Sequence, residues 1–331
     1  MRNRLLLILT AAVSIILMAG CSMDLVPANE EIEPGRKVEI EIKEGMTLSQ
    51  IAQLLEEEGI VENGFVFRLY VQQKQMETAL LPGEYTLVTG SEMEEVLKTI
   101  TAGPQIITYK LIIPEGFTVD QIKERILHLP FIGEGQVEPT LMVENYDYSF
   151  LDGAESLEGF LFPKTYEVTV GYSANDIVNM LISQYQRETS QLDYSFAQKK
   201  GLTPYQILII ASLIEREAYI AEERELISAV IHNRLDIGMP LGIDATIRYG
   251  LDKWDQELTV SDLEYDSEYN TRIYAGLIPT PICNPGIEAI KAALSPADVD
   301  YLYFVVTDEE KHTHSFSNTL EEHEQNINNS Q

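Results

Sequence analysis

The sequence predicts an α+β fold, with small strand–turn–helix modules on its N-terminal side and a larger mixed α+β domain after them. Two observations support this fold class. A strand–turn–helix pattern recurs in the first part of the chain, and a long, strongly apolar helical segment lies in the second half. The chain has 331 residues, of which 45% are hydrophobic. This length suits two or three domains, and this composition is sufficient to bury a core.

The recurring pattern is clearest in VEIEIKEGMTLSQIAQLL (residues 38–55) and YKLIIPEGFTVDQIKERI (residues 109–126). The two segments match as E-G-x-T-x-x-Q-I, with Gly45 and Gly116 at corresponding positions. A weaker copy is YTLVTGSEMEEVLKTI (residues 85–100). In each copy, alternating apolar residues predict a strand, a glycine predicts a turn, and a Thr or Ser before an amphipathic run predicts a helix N-cap. The predicted N-caps are Thr47, Ser91 and Thr118.

The strongest helical signal is TPYQILIIASLIEREAYIAEERELISAVIHNRLDI, residues 203–237. Pro204 follows Thr203, an arrangement typical of a first helical turn. The apolar positions predict a helix that continues through Ile220. The acidic pair Glu222-Glu223 then indicates a break, followed by a second helix that ends near Gly238.

Other elements of the second half follow from the same signals. The sequence predicts a helix in residues 173–192, a loop in GMPLGIDATIRYGL (238–251) and a helix in NPGIEAIKAALSP (284–296). It then predicts a strand in residues 299–308, and a strand fragment that leads into a C-terminal helix.

The N-terminus predicts export from the cytoplasm. Two arginines precede an apolar run in residues 5–19, which is short for a transmembrane helix and typical of a signal peptide. The segment Leu17–Cys21 resembles a bacterial lipobox, so Cys21 is the expected lipidation site, and an uncleaved membrane anchor is the alternative. The predicted organisation is a signal peptide or anchor in 1–21, a linker in 22–36, an α+β module with internal repeats in 37–126, and a second domain in 127–331.

Charge and motif content exclude several functional classes. The formal net charge is −30, which repels phosphate backbones and argues against a nucleic-acid partner. Cys283 is the only other cysteine, so lipidation of Cys21 leaves no disulfide, and Cys283 is expected to be a buried structural thiol. His312-Thr-His314 is too little for a metal site, so neither a metal nor a cofactor is predicted. Nucleophile elbows, Walker loops and dinucleotide fingerprints are lacking, which leaves acid–base chemistry by glutamate.

Two glutamates in ASLIEREA (residues 211–218) are candidates for this chemistry. On a continuous helix, Glu217 would lie beside Leu213, Ile214, Ile220 and Ala221, all apolar. A carboxyl group with such neighbours loses water, which raises its pKa and suits it to donate a proton near neutral pH. Glu215 has smaller or amphipathic neighbours and is the second candidate. A solvated glutamate at the edge of a core helix is the competing interpretation.

Six ordered segments carry a resemblance to a known family. They are EGFLFPKTY (158–166), ASLIEREA (211–218), NRLDIGMPL (233–241), YNTR…GLIPTPICNPG (269–286), YLYFV (301–305) and HSFSNTLEEH (314–323). This set resembles the YceG-like endolytic murein transglycosylases (the MltG family) over roughly residues 38–327. The resemblance implies that the repeated N-terminal part is LysM-like and that the second domain is catalytic.

The resemblance also implies an activity and its residues. The expected reaction is cleavage of peptidoglycan between N-acetylmuramic acid (MurNAc) and N-acetylglucosamine (GlcNAc) without water, which leaves a 1,6-anhydro-MurNAc end. Glu217, with Glu215 as the alternative, would act as general acid and then as general base. The expected substrate-binding residues are Asn233, Arg234, Asp244, Thr246, Tyr269, Asn270, Thr271 and His314, and a structural role stays open for each. Expected partners are glycan strands, the membrane and penicillin-binding proteins, in a protein anchored to the cell membrane and facing outside the cytoplasm.

Departures from the family pattern affect the predicted cleft loops. Gly242-Ile243-Asp244-Ala245-Thr246 stands where the family commonly has Gln-x-Asp-Pro-Thr, and Ile278 and Thr280 alter a proline-rich loop. Two other functions stay open. One is a hydrolytic muramidase, in which a second carboxylate such as Asp244 activates water. The other is a non-catalytic lipoprotein that binds peptidoglycan.

Overall fold

The structure is a computed structural model that describes residues 33–308 and 310–330. The predicted signal peptide or anchor, its Cys21 and most of the predicted linker lie outside the described residues. Within the described part of the chain, none of the helices has both the length and the apolar character that a membrane span requires.

The chain divides into two compact units, one ending at Ile106 and the other beginning at Ile107. Helices predominate, and the described strands form three separate two-stranded antiparallel sheets. The predicted α+β class is confirmed at this level. The LysM-like character of the repeated part stays a prediction.

The first unit pairs one antiparallel sheet with three helices. Its strands are β1 (Lys37–Ile42) and β2 (Gly83–Val88), and its helices are α1 (Leu48–Glu57), α2 (Gly64–Gln73) and α3 (Met93–Ala102). Ile40 and Ile42 of β1 are buried and Val38 is partly buried, as the V-E-I-E-I alternation predicts. These apolar residues pack with those of the three helices into a small core of their own.

The helix caps confirm two of the three predicted N-caps. Thr47 and Thr118 each accept a hydrogen bond from the backbone of the third helical residue, which is a Gln whose side chain bonds back to the cap. The prediction for Ser91 is wrong. Its hydroxyl donates to the carbonyl of Val88 at 2.8 Å, and Glu92 occupies the N-cap position without a side-chain bond.

The second unit contains the remaining elements. Its strands are β3 (Thr108–Ile112), β4 (Thr165–Thr169), β5 (Tyr303–Asp308) and β6 (Thr313–Ser317). Its helices are α4 (Val119–Leu127), α5 (Ala174–Thr189), α6 (Ser195–Lys200), α7 (Pro204–Glu217), α8 (Arg224–Asp236), α9 (Asp244–Leu251), α10 (Val260–Leu263), α11 (Ile287–Leu294) and α12 (Leu320–Ser330).

The boundary between the units precedes the second complete repeat, whereas the sequence placed the division after residue 126. The physical reason is that β3 pairs with β4, with Tyr109 opposite Val168. In addition, Ile122 and Ile126 of α4 are fully buried in the core of the second unit. The two matching sequence segments therefore each form a strand, a turn and a helix, but they belong to different units.

Helix α7 is the centre of the second unit, where it packs against α8 and α11. Its residues 207–214 are all buried, so no side of this stretch faces water. Residues 238–251 were predicted to be a loop, but α9 occupies the last eight of them. Asp244 at its first position favours a helix start, while Gly242 and Gly250 obscure the short apolar pattern.

Candidate active site

The two candidate glutamates lie in the last turn of α7. The helix begins at the N-cap Thr203, with Pro204 in its first turn, as predicted. It ends at Glu217 because Ala218 is extended, with φ −86° and ψ 105°. The prediction that the helix continues through Ile220 is therefore wrong, and Ile220 and Ala221 are not helical neighbours of Glu217. The buried preceding turns still hold the end of the helix in place.

Glu217 faces a cleft of about 510 Å³, which we call the Glu217 cleft. The lining residues are Arg216, Glu217, Tyr219, Asp244, Ala245, Arg248, Trp254, Asp255, Gln256, Glu257, Val306 and His314. Two other described clefts, of about 640 and 590 Å³, are slightly larger, but neither contains a candidate acid from α7. Three residues predicted from sequence thus meet in one place, namely Glu217, Asp244 and His314.

The environment of Glu217 favours its protonated form. Its side chain is only partly exposed, and burial together with the negative charge of Asp244 raises the pKa of Glu217 to about 7, while Arg216 acts in the opposite direction. A carboxyl group at a helix C-terminus also meets the negative end of the helix dipole. With a pKa of about 7, Glu217 keeps a proton at higher pH than a solvated glutamate does.

Glu215 has a structural partner. Its Oε2 accepts a hydrogen bond of 3.0 Å from the backbone N–H of Gly286, the N-cap residue of α11. Burial raises the pKa of Glu215, and the Gly286 hydrogen bond partly offsets this effect. Glu215 does not line the Glu217 cleft. It ties the end of α7 to the start of α11.

Arg216 and Trp254 form one wall of the Glu217 cleft. The Arg216 guanidinium carbon lies 4.2 Å from the centre of the Trp254 ring, within the range of a cation–π interaction. Its Nη1 donates to the carbonyl of Gly116 at 3.2 Å. Trp254 is the only tryptophan in the chain, and no nearby motif marks it as a cleft residue. The sequence predicted a site role for neither residue.

Asp244 and His314 have polar partners that fix their positions. Asp244 Oδ1 lies 2.7 Å from both Nε and Nη2 of Arg272. His314 Nδ1 lies 2.6 Å from Oε2 of Glu223, and its backbone N–H donates to Oε1 of Glu223 at 2.9 Å. Glu223 is 7% exposed, and the sequence interpretation took it only as a helix break.

Asn233 and Arg234 donate hydrogen bonds to backbone carbonyls and do not line the Glu217 cleft. Asn233 Nδ2 donates to the carbonyls of Val299 and Tyr301, both at 2.9 Å. Arg234 donates to the carbonyls of Leu302 and residues 240–241. These bonds attach the segment before β5 to α8. Both residues therefore have the structural role that the sequence left open for them.

The four remaining predicted residues are also satisfied internally. Thr246 and Thr271 are buried, and their hydroxyl oxygens lie 3.1 Å apart. Asn270 donates to two backbone carbonyls and is 1% exposed. The Tyr269 hydroxyl lies 2.8 Å from Oγ1 of Thr280, one of the residues that depart from the family pattern. None of the four lines the Glu217 cleft, although Thr271 supports the turn before Asp244 by accepting the N–H of Ile243.

Cys283 is fully buried, as predicted, and its thiol faces the carbonyl of Ser212 at 3.4 Å. Among residues 33–308 and 310–330, no group of three or more His, Cys, Asp or Glu residues is arranged to hold a metal ion.

A comparison with protein families identifies the chain. The model of the YceG-like family matches residues 40–329, nearly all of the described part. The chain belongs to the YceG-like family. The resemblance inferred from the six ordered segments is thereby confirmed.

Similar curated proteins carry the name endolytic murein transglycosylase. The one from Streptococcus pneumoniae (strain ATCC BAA-255 / R6) is 31% identical over 324 residues, covering 88% of this chain and 58% of the relative. The one from Bacillus subtilis (strain 168) is 31% identical over 311 residues, covering 89% of this chain and 85% of the relative. This member of the YceG-like family thus spans less than two thirds of the pneumococcal protein.

A solved structure shares the fold. The crystal structure of a YceG-like protein from Listeria monocytogenes, determined at 2.6 Å, matches with a TM-score of 0.59 and 31% identity. The match covers 88% of this chain and 99% of that one.

Proposed function

We propose that this YceG-like chain is an endolytic peptidoglycan lytic transglycosylase that cleaves the bond between MurNAc and GlcNAc. The observation that carries the proposal is Glu217, a partly buried carboxyl with its pKa raised to about 7, facing a cleft in the second unit. The name of the curated relatives supports the substrate class.

Glu217 acts first as a general acid. Its proton passes to the glycosidic oxygen, so that GlcNAc leaves as a neutral alcohol. The C6 hydroxyl of MurNAc then attacks C1 of the same sugar and transfers its proton to the Glu217 carboxylate. Because the attack is intramolecular, its effective concentration is high, and no second residue is needed to hold a water molecule. The product end is 1,6-anhydro-MurNAc, and Glu217 returns to its starting state.

A hydrolytic muramidase is the second candidate, since Asp244 lines the same cleft. Digestion of purified glycan strands followed by mass spectrometry separates the two. We expect fragments that end in 1,6-anhydro-MurNAc and lack the mass of one added water. Fragments with only reducing ends would contradict the transglycosylase and support hydrolysis.

The charge of Asp244 predicts a change in pH dependence. Since catalysis begins with protonated Glu217, kcat/KM should fall as pH rises above about 7. Asp244→Asn removes a negative charge that raises the pKa of Glu217, so the alkaline limb of the kcat/KM profile should move to lower pH. Asp255→Asn is the control, because Asp255 lines the cleft but is not among the charges that shift this pKa. A limb that does not move in Asp244→Asn would contradict this role for Asp244.

We further propose that Cys21 carries a lipid that anchors the protein to the membrane, with the folded units outside the cytoplasm and penicillin-binding proteins among its partners. The lipobox-like segment before Cys21 supports the anchor. Metabolic labelling with a fatty acid should mark the wild type and not Cys21→Ala. Equal labelling of both would exclude lipidation of Cys21.

A further inference from the structure

We propose that His314, oriented by Glu223, recognises the N–H of a sugar acetamido group in the Glu217 cleft. The inference rests on the proposed function in so far as the cleft must bind glycan. His314 would determine specificity for the sugar, and Glu223 would position His314, in addition to the general acid Glu217. The Glu223 carboxylate selects one tautomer of the His314 ring, and this tautomer selects the ligand group.

In a neutral His314 ring, the geometry fixes which nitrogen can accept. Glu223 accepts the backbone N–H of His314 through Oε1 at 2.9 Å, and its Oε2 lies 2.6 Å from Nδ1 of the same residue. A carboxylate is an acceptor only, so Nδ1 carries the proton and donates it to Oε2. Nε2 of the neutral ring is then an acceptor. Among the described residues, Nε2 has no hydrogen-bond partner.

Packing holds the ring in this orientation. The His314 side chain is 3% exposed, yet it lines the cleft that contains Glu217. The Phe304 ring meets it edge to face at a centroid distance of 5.4 Å, and Phe316 lies 6.2 Å away. Glu223 belongs to a short turn before α8, while His314 belongs to β6, so two separate elements must dock to form the pair.

The chemistry of the ligand follows from this acceptor. A sugar hydroxyl can donate or accept, so it would bind either tautomer of a histidine. The Glu223 carboxylate makes Nε2 of His314 an acceptor, and this is required only if the ligand group can donate but not accept. On a glycan strand of N-acetylated sugars, such a group is the secondary amide N–H. Stem peptides also carry amide N–H groups, but every sugar of the strand presents an acetamido group, and we assign the contact to the sugar.

The pair can be tested by isosteric replacement. In Glu223→Gln, the oxygen of the new amide can still accept the backbone N–H of His314, whereas its NH₂ group faces Nδ1. The ring must then place its proton on Nε2 and present a donor. Nitrogen-15 NMR should show the Nδ1–H tautomer of His314 in the wild type and the Nε2–H tautomer in Glu223→Gln. His314→Ala assigns the signal among the five histidines. An Nε2–H tautomer in the wild type, or a ring protonated on both nitrogens, would overturn the proposal.

Ligand recognition is measured by calorimetry in the full-length Glu217→Gln chain, in which the sugar stays intact. Two stem-free tetrasaccharides are compared, one N-acetylated and one with 2-O-acetyl groups, where an ester oxygen replaces each amide N–H. We expect the ester to bind about 5- to 150-fold more weakly, as loss of one buried hydrogen bond implies. The preference should disappear when Glu223→Gln or His314→Ala is added.

The outcomes separate this inference from the proposed function. Equal binding of the two sugars, or a preference that survives Glu223→Gln, would overturn the role of His314 alone. A preference for intact strands over strands stripped of stem peptides, without any amide-to-ester effect, would assign the contact to a stem amide and overturn the acetamido assignment. Binding of neither sugar would overturn both the inference and the glycan substrate. The binding experiment does not test the transglycosylase chemistry, because the Glu217→Gln chain leaves the sugar intact. That chemistry is tested by the products that the wild type forms.

Discussion

Replacement of Glu217 by Gln is expected to lower the turnover of glycan strands by about 10²- to 10⁴-fold, the range that one proton-transferring group contributes. Gln has nearly the same shape as Glu but cannot donate a proton to the glycosidic oxygen. Binding should be retained, because the charge lost is one that burial already disfavours. The measurement is the rate of product formation, followed by mass spectrometry at pH 7.

Glu215→Gln is the matched control, two residues away on the same helical turn. The Gln oxygen can still accept the N–H of Gly286, so we expect turnover within a few-fold of the wild type. The reverse result, loss in Glu215→Gln and retention in Glu217→Gln, would assign the proton donor to the other glutamate. Unchanged turnover in both variants would favour a protein that binds peptidoglycan without cleaving it.

Asn284→Ala is expected to lower the free energy of unfolding of the second unit by about 3–5 kcal/mol. The fully buried amide accepts the N–H of Leu161 at 2.7 Å and donates to the carbonyl of Phe117 and to Oε1 of Glu158, both at 2.9 Å. The N–H of Leu161 would lose its only hydrogen-bond partner among the described residues, which costs about 1–3 kcal/mol. The carbonyl of Phe117 still accepts the backbone N–H of Asn284, and Glu158 still accepts the N–H of Val119, so each of these two lost bonds costs about 0.5–1.5 kcal/mol. The loop that Asn284 fixes also carries Gly286, which holds the end of α7 through Glu215.

Denaturant unfolding at pH 7 tests this expectation, followed by the fluorescence of Trp254. As the only tryptophan, Trp254 reports on the second unit alone. Burial raises the pKa of Glu158 to about 8, so its carboxyl is largely neutral at pH 7. Asn284→Ala therefore removes a hydrogen bond from Glu158 but does not leave a buried charge without a partner. Asn328→Ala, at an exposed position of α12, should change the free energy by less than about 0.5 kcal/mol. A loss below 1 kcal/mol in Asn284→Ala would contradict the buried network.

Local elements could be predicted from the sequence because their signals are close together in the chain. The capping boxes at Thr47 and Thr118 each depend on a partner three residues later. The buried stretch of α7 could likewise be predicted from its apolar run. The helix end at Glu217 could not, because an extended Ala218 has no distinctive residue type.

The candidate site could be predicted only in part, because several of its contacts join residues that are far apart in the sequence. Glu217 was selected by apolar residues on both sides of it, although only those before it are its helical neighbours in the structure. Asp244 and His314 were selected by the family pattern. The pairing of His314 with Glu223 joins residues 91 positions apart, and Arg216 meets a tryptophan that no nearby motif marks. Asn233 and Arg234 have the residue types of a ligand site, but only the fold shows that backbone carbonyls already occupy their donors.

The central claim is that Glu217 keeps a proton near neutral pH, and its titration tests this most directly. Carbon-13 labelling of the glutamate carboxyl groups, with the Glu217→Gln spectrum subtracted, isolates the signal of Glu217 from that of Glu158. We expect a midpoint near pH 7. A midpoint near the ordinary glutamate value of about 4.3 would show a solvated carboxylate that cannot serve as the proton donor.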